Sequence, residues 1–401
     1  MRRIDIEERR ARLAARHHLA TPVPTAVEAA QGVVALHGTD AASVYLSAAA
    51  RMHAPTLEAI DATLYEDRTL VRILGMRRTV FVLPVDLAPI VQAACTDAIA
   101  ARERRRLVQV LTEAGIGTGD GDGTGDHGTG NVADWLADVG ESAVRALRAR
   151  GEALSAELSA DEPRLRTQFV MAAGKSYEAK VSVAGRLLPI LAAEGRIIRG
   201  RPRGSWLSTQ YRWAPVEAWL PGTAATWDAA SAQAELIRGW LARFGPGTLA
   251  DIKWWTGLTT GEVRRALARV RPVEVDLGGA PGFVLAVDAE PVPTPEPWVA
   301  LLPALDPTPM GWTERDWYLG EHRAALFDRS GNVGPTVWCD GRIVGGWAQR
   351  GDGEIAVRLL EDIGDRAKEV TAAAERLAEW LGPSRFVAKF RTPLERELYG
   401  K

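Results

Sequence analysis

The chain has 401 residues, of which 46% are hydrophobic and 25% charged, and its formal net charge is −2. At about 150 residues per domain, this length corresponds to two or three domains of a soluble globular protein, and the charge excludes an overall polycation. The two cysteines, Cys95 and Cys339, are too few for a disulfide scaffold or a cysteine-rich zinc site, which favours a reducing compartment. We find no apolar run of about 18 residues and no apolar signal core, so we expect a cytoplasmic protein without membrane contact.

Residues 1–115 show the order of a winged helix. Apolar spacing predicts helices over 5–14 and 25–35, a helix that Asp40 caps, and a short helix over 56–65. Two β-rich runs between Leu70 and Pro84 then flank the tip GMRR at 75–78, which predicts a hairpin. Arg77 and Arg78 lie at its tip, where a side chain could enter a groove of DNA.

Residues 116–143 combine a glycine- and aspartate-rich stretch with the start of a helix. The stretch 117–131 contains seven glycines and three aspartates and has no apolar face to bury, which predicts a flexible loop. Its GxGxxG match at 123–128 has no βαβ unit around it, and its aspartates lack the flanking helices of a calcium loop. We therefore expect neither nucleotide nor metal binding there.

The segments 144–222 and 223–290 repeat the order of helix and hairpin. In the first, a helix over 182–194 ends at Gly195 and precedes two β-rich runs within 196–213. In the second, a short helix ends at Gly257, Thr259 and Glu262 form a capping box for the next helix, and a hairpin surrounds 278–279. Both segments are predicted to be winged helices.

A proline-rich linker at 290–297 precedes a different segment. Strands are predicted over 337–340, 342–348 and 354–358, followed by a long helix over 363–381. The predicted fold class is therefore α+β: tandem winged-helix units with a C-terminal α+β domain over 291–401.

Arginines cluster on two of the predicted winged helices. The stretch 196–213 holds five arginines, among them Arg199, Arg201, Arg203 and Arg212, with interleaved aromatic residues and no acid. Such arginines can neutralise DNA phosphates, although a solvated wing with its aromatics in the core has the same pattern. Arg264 and Arg265 lie on the predicted recognition helix of the third unit, which follows the capping box of Thr259 and Glu262, and nearby acids dilute the positive charge there.

One short segment combines side chains suited to catalysis. In an extended segment His37 and Thr39 point to the same side, so an imidazole and a hydroxyl could hold one water molecule while Asp40 takes a proton or orients the histidine. The alternative is a capping turn, in which Asp40 caps the next helix and His37 hydrogen-bonds the backbone. Because we find none of the common catalytic or phosphate-binding motifs elsewhere, the sequence implies no metal and no cofactor.

The sequence resembles the AlkZ/YcaQ-type winged-helix DNA-binding proteins nearly from end to end. The resemblance in the first half lies in VVALHGTD at 33–40, AR at 50–51, LVR at 70–72 and MRRT at 76–79. In the second half it lies in FGPGTLAD at 244–251, WTG at 255–257, LLPALDP at 301–307, GWTERDW at 311–317 and LFDRSGN at 326–332.

This resemblance implies tandem winged helices that form a concave surface around DNA, and it adds Arg51 to the candidate DNA contacts. Characterised members are monofunctional DNA glycosylases that remove bulky or crosslinked alkylated purines. Their catalytic motif, Gln-x-Gln or Gln-x-Asp, positions the hydrolytic water at the sugar C1′. It falls here on His37 and Thr39, so both glutamines are absent, and threonine is shorter and has no amide.

Two hypotheses follow. The first is a monofunctional glycosylase that acts on alkylated purines in double-stranded DNA, with a water positioned by His37 and Thr39 and with Asp40 nearby. N7- or N3-alkylated purines already carry positive charge, so their departure needs little acid help. The second is a non-catalytic winged-helix DNA-binding protein or transcriptional regulator. In both cases we expect a monomer whose partner is DNA, in the first case damaged DNA.

Overall fold

The computed structural model describes residues 1–117, 131–172, 174, 178–220, 222 and 226–400. The flexible loop expected at 117–131 lies almost wholly outside the described residues. The chain forms two compact units: unit 1 comprises Met1–Ala94 together with the chain from Trp227 onward, and unit 2 comprises Cys95–Thr226. The finer division into five segments remains a prediction.

The N-terminal part of unit 1 consists of five helices and four strands. In chain order they are β1 (Arg2–Arg3), α1 (Ile6–Arg16), α2 (Ala26–Gly32), β2 (Leu36–His37), α3 (Ala41–Ala49), α4 (Leu57–Tyr65), β3 (Leu70–Gly75), β4 (Thr79–Pro84) and α5 (Ala88–Val91). Strands β2, β4 and β3 form one antiparallel sheet in that order. The predicted helices and the hairpin at 70–84 are confirmed, whereas the short strand β2 was not predicted.

Unit 2 is helical with two separate hairpins. Its elements are α6 (Asp97–Glu113), α7 (Val132–Arg150), α8 (Ser155–Asp161), β5 (Gln168–Met171), β6 (Ala179–Ser182), α9 (Val183–Ala193), β7 (Ile197–Pro202), β8 (Tyr211–Pro215) and α10 (Val216–Trp219). Leucines of α7 and α9, including Leu136, Leu147, Leu187 and Leu191, are fully buried in its core. The helix and hairpin predicted over 182–213 are confirmed, and the hairpin of β5 and β6 was missed.

The remainder of unit 1 begins with three helices and a hairpin. These are α11 (Ala229–Phe244), α12 (Leu249–Thr256), α13 (Thr260–Val270), β9 (Val273–Asp276) and β10 (Pro281–Val284). The predicted capping box of α13 is present, since the Thr259 hydroxyl accepts from the Glu262 amide and the Glu262 carboxylate accepts from the Thr259 amide. Strand β1 adds to β9 in parallel, a pairing that local sequence does not signal.

The C-terminal segment of unit 1 is built on a four-stranded antiparallel sheet. Its elements are β11 (Val299–Leu302), α14 (Asp316–Leu319), α15 (Arg323–Leu326), β12 (Thr336–Cys339), β13 (Arg342–Gln349), β14 (Ile355–Leu359), α16 (Arg366–Leu381) and α17 (Pro393–Tyr399), with the strands in chain order across the sheet. The predicted strands and long helix are confirmed. The chain is therefore a mixed α/β protein.

The parts of unit 1 share an aromatic core. The ring of Phe81 on β4 lies 6.5 Å from that of Trp255, which lies 5.9 Å from Phe244, and Phe244 in turn lies 5.2 Å from Trp312. Burying such large rings is strongly favourable, and the edge-to-face contact of Phe244 with Trp312 adds specificity. This core links the sheet that carries His37 to α11, α12 and the C-terminal segment.

Candidate active site and nucleic-acid interface

His37 occupies the end of β2, at the edge of the three-stranded sheet. Its backbone pairs with Phe81 on β4, and its ring makes an edge contact with the Phe81 ring at 5.6 Å between centroids. The side chain is only 7% exposed. The sheet and the aromatic core therefore fix the position of the imidazole.

Burial determines the charge of His37. It lowers the pKa of the imidazole to about 3, and the positive charge of Arg77 acts in the same direction, against a smaller opposing effect of Asp306. The backbone N–H of Thr39 donates to Nδ1 at 3.5 Å. Because an amide only donates, Nδ1 is the accepting nitrogen, and Nε2 of the neutral ring carries the proton. His37 is thus a neutral hydrogen-bond donor at pH 7.

Two polar groups at this turn remain available to a ligand. Neither Nε2 of His37 nor the hydroxyl of Thr39 hydrogen-bonds to another residue that the structure describes, and neither is a fully buried orphan atom. Polar groups in partly buried positions are normally satisfied by protein or by ordered water. These two groups are therefore suited to holding a water molecule.

Gly38, between them, is required by close packing. Its amide donates to the carbonyl of Val80 at 2.8 Å, and its own carbonyl accepts from the Arg72 guanidinium at 2.7 Å. A Cβ at this position would lie 3.0 Å from Arg72 Nη1 and 3.2 Å from the Val80 oxygen. A side chain at the middle residue of the motif would therefore be crowded by Arg72 and by the backbone of β4.

Asp40 has the capping role that was the alternative to catalysis, and it also has a second contact. Oδ1 accepts from the Ala42 amide at 3.2 Å, which caps α3, while Oδ2 accepts from the backbone amide of Lys389 at 3.3 Å. Burial raises the pKa of the Asp40 carboxyl above its usual value, against the lowering effect of these hydrogen bonds. A raised pKa makes this carboxylate a better proton acceptor, so capping and proton transfer remain compatible.

The tip of the hairpin between β3 and β4 presents its two arginines differently. Arg78 is exposed, whereas Arg77 is partly buried with its guanidinium 3.9 Å above the ring of Trp254. Both residues have positive φ, 53° and 58°. The tip packs on the end of α12, where Gly257 takes φ +74° and a Cβ would lie 3.0 Å from the Arg77 nitrogen. Arg77 therefore does not project freely from the hairpin.

The expectation that Arg51 contacts DNA is wrong. Its side chain and that of Asp306 are both 0% exposed and form a two-pronged ion pair, with N–O distances of 2.7 and 2.8 Å. The guanidinium also donates to the Ser47 carbonyl and to the Thr308 hydroxyl. A cation enclosed in this way is structural, because reaching DNA would require breaking the pair inside the protein.

The other predicted DNA contacts lie on protein surfaces in the unit to which each belongs. In unit 2, Arg201 and Arg203 are exposed, Arg199 is partly buried with its guanidinium 5.3 Å from the Trp213 ring, and Arg212 lies 3.8 Å from Glu157. In unit 1, Arg264 and Arg265 are exposed on α13. Their contacts with DNA remain predictions.

The structure shows no sign of a metal centre in the ranges that it describes, where no three His, Cys, Asp or Glu side chains come together as ligands. Among the helices of those same ranges, none combines the length and apolarity needed to cross a bilayer. Sequence reasoning assigned no role to Trp254 or Lys389. The paired tryptophans at 254–255 were a signal for the first, and nothing local points to the second.

Comparisons with known proteins agree with this fold. The family described as DNA glycosylase AlkZ-like matches residues 30–380. The structure is similar to that of the Streptomyces sahachiroi DNA glycosylase AlkZ, with a TM-score of 0.72 and 21% identity over 96% of this chain and 98% of that one. The interstrand DNA cross-link repair glycosylase of Streptomyces sahachiroi is 30% identical over 161 residues. That match spans 37% of this chain and 43% of the curated relative.

The fold is that of a DNA repair glycosylase family. The chain belongs to the AlkZ-like DNA glycosylase family, which confirms the resemblance seen in the sequence.

Proposed function

We propose that this protein is a monofunctional DNA glycosylase that hydrolyses the N-glycosidic bond of alkylated purines in double-stranded DNA. Membership of the AlkZ-like family and similarity to an interstrand DNA cross-link repair glycosylase support this reaction class. The single observation that carries it in this chain is the turn at 37–39, where His37 Nε2 and the Thr39 hydroxyl are both without a partner among the described residues.

The chemistry required of the protein is small. An N7- or N3-alkylated purine carries positive charge, so the C1′–N bond breaks with its electron pair passing to a base that leaves neutral. A water molecule then forms the C1′–O bond and loses a proton. The enzyme must place that water and stabilise the oxocarbenium-like sugar. A neutral imidazole adds no positive charge beside this cation.

Each residue of the turn has a stated role in this proposal. His37 donates from Nε2 to the water oxygen, and the Thr39 hydroxyl accepts from the water. Asp40, whose pKa is raised by burial, accepts the proton that the water releases. The hydroxyl of Thr39, two atoms from the backbone, takes the place of the amide that the family motif carries on a longer side chain at this position.

The same proposal includes the DNA interface. We infer that the helix–hairpin segments are tandem winged helices, and that exposed or partly exposed arginines on their hairpins and helices neutralise phosphates. The candidates are Arg78, Arg199, Arg201, Arg203, Arg212, Arg264 and Arg265. Their local clustering supports DNA binding although the net charge of the chain is −2.

Abasic-site formation tests the proposal. Duplex DNA with N7-methylguanine or a bulky N7-guanine adduct is incubated with the protein, and strand breaks are measured before and after hot alkali. We expect breaks only after alkali, their loss in His37→Ala, and a strong reduction in Thr39→Val, which removes the hydroxyl and keeps the shape. Thr371→Val on the exposed face of α16 is the matched control and should retain full activity.

The absence of both motif glutamines favours a second candidate, a non-catalytic protein that recognises damaged DNA. Tight, salt-sensitive binding without alkali-labile sites on any alkylated duplex would support that candidate and reject the glycosylase. Full activity of His37→Ala would remove His37 from the mechanism and leave the reaction class intact.

A further inference from the structure

Arg77 is a partly buried cation that has no counter-ion among the residues that the structure describes. Its guanidinium stacks on Trp254 at 3.9 Å, and its Nε is buried without a hydrogen-bond partner. No ion pair or side-chain hydrogen bond joins it to any residue that the structure describes. Stacking uses the face of the guanidinium and leaves the N–H groups at its edge directed away from the ring.

The surroundings make this cation costly in the unbound protein. Arg315 is buried on the same aromatic ring, 4.9 Å from the Trp254 centroid. Burial lowers the pKa of Arg77 to about 10, and the like charge of Arg315 lowers it further. Removing a charge from water without a paired group is unfavourable, so the site is poised for an anion.

Backbone strain adds an independent observation. Arg77 and Arg78 are consecutive non-glycine residues with positive φ, a conformation that is unfavourable for residues with a Cβ atom. Packing against Gly257 holds the tip in this form. Strain of this kind persists where the surrounding structure enforces it, and it often marks ligand-binding turns.

The position of Arg77 relates it to the proposed active site. β4 runs from the hairpin tip to Phe81, which pairs with His37. The positive charge of Arg77 also lowers the pKa of the His37 imidazole. The anion site and the water-holding turn therefore belong to the same sheet. DNA offers one anion per nucleotide close to each sugar, namely the backbone phosphate.

We propose that Arg77, held by Trp254, binds a backbone phosphate next to the nucleotide whose base is removed, and so positions the sugar C1′ against the His37–Thr39 turn. This inference rests on the proposed glycosylase function. Arg77 is then a positioning residue and not a side chain that inserts between stacked base pairs. A phosphate suits the site better than the damaged base, because an alkylated purine is itself cationic and would be repelled.

Binding measurements with neutralised phosphates test the proposal. Duplexes carry a tetrahydrofuran abasic analogue and, one position at a time, a methylphosphonate that removes the charge of a single phosphate near it. Affinity is measured by fluorescence anisotropy for the wild type and for Arg77→Gln. Loss of one charge-assisted contact weakens binding about tenfold to a hundredfold.

We expect one position, or two adjacent ones, at which neutralisation weakens wild-type binding and has no further effect on Arg77→Gln. Arg78→Gln is the comparison at the same tip, and it should lose affinity additively with the methylphosphonate to which Arg77 is coupled. The proposal would be overturned if the losses caused by Arg77→Gln and by each methylphosphonate were additive at every position. It would also be overturned if a methylphosphonate position were coupled to Arg78→Gln and none to Arg77→Gln. Competition by inorganic phosphate without any coupled position would assign the site to a free anion and also overturn it.

Two further measurements distinguish a failure of the phosphate proposal from misfolding of a variant and from absence of glycosylase activity. Arg77→Lys keeps the charge and should retain coupling to the same phosphate with a smaller loss, which keeps the test valid if Arg77→Gln does not fold. Base release by the wild type is measured separately on an alkylated duplex. Its absence would reject the glycosylase activity, whereas phosphate coupling is read from binding alone.

Discussion

Replacing Asp306 by Asn isolates the role of Arg51. The two side chains are fully buried, and the carboxylate accepts from both terminal nitrogens of the guanidinium at 2.7 and 2.8 Å. The amide of asparagine has nearly the same shape as the carboxylate. It removes the negative charge and turns an N–H donor toward the Arg51 cation, so the positive charge stays buried without compensation.

The expected cost follows from this burial. Removing one partner of a buried ion pair costs about 3–5 kcal/mol, whereas an exposed pair contributes less than about 1 kcal/mol. Arg358 and Glu397 form such an exposed pair within the same unit, with side chains 47% and 59% exposed. Glu397→Gln is therefore the matched control, and we expect it to change the free energy of unfolding by less than 1 kcal/mol.

Urea denaturation followed by tryptophan fluorescence measures both variants, because most of the fourteen tryptophans lie in unit 1. DNA affinity is measured in parallel over a range of salt concentrations, under conditions in which the Asp306→Asn protein remains folded. We expect Asp306→Asn to lower the free energy of unfolding by about 3–5 kcal/mol and to leave the salt dependence of DNA affinity unchanged. A stability loss below about 1 kcal/mol for Asp306→Asn, together with a slope reduced by about one unit in Arg51→Met, would refute the structural role and return Arg51 to the DNA interface.

Three further predictions concern the interface and the site. Changing Arg199, Arg201 and Arg203 together to Ala should reduce the slope of log DNA affinity against log salt concentration by up to about three units, since each neutralised phosphate contributes roughly 0.9. An unchanged slope would exclude this hairpin from the interface. Asp40→Asn keeps an N-cap acceptor whereas Asp40→Ala loses it, so the Ala variant should be about 1 kcal/mol less stable than the Asn variant. Both variants should lose base release if the Asp40 carboxylate accepts the proton. Because the pKa of His37 is lowered to about 3, the unfolded chain binds the proton more readily, and the protein should lose about 2 kcal/mol between pH 7.5 and pH 5 that His37→Gln does not lose. Equal pH dependence of unfolding in both proteins would contradict the buried neutral imidazole.

Local signals in the sequence predicted most of the elements. The Asp40 cap, the Thr259 capping box and the glycine end of α12 each depend on residues within one helical turn, and each is present. Alternating β-rich runs with a short tip predicted the hairpin at 70–84. Such patterns report on the backbone conformation of neighbours, so they hold wherever the packing does not oppose them.

Long-range packing could not be predicted in the same way. Arg51 reads as a candidate phosphate ligand in the sequence, and only its partner 255 residues away shows that it is enclosed. The strand β1 pairs with β9, some 270 residues further along the chain, and two residues are too few for a periodic signal.

The candidate site contains both local and long-range features. His37, Thr39 and Asp40 could be proposed as candidates from their types and spacing, because a turn between a strand and a helix is a local feature. The stacking of Arg77 on Trp254 depends on the docking of the hairpin tip against α12, and the Lys389 contact of Asp40 depends on the far end of the chain. Neither contact leaves a trace in the spacing of nearby residues.

The order in which the chain is synthesised gives the Lys389 contact a further consequence. Unit 2 is one continuous stretch and can fold on the ribosome as soon as residues 95–226 have emerged. The turn at 37–40 has to wait, because Ser43 donates to the carbonyl of Ala304 and Asp40 accepts from the amide of Lys389. A prematurely terminated chain would therefore carry folded unit 2 while the turn at 37–40 still lacks the two contacts that complete it.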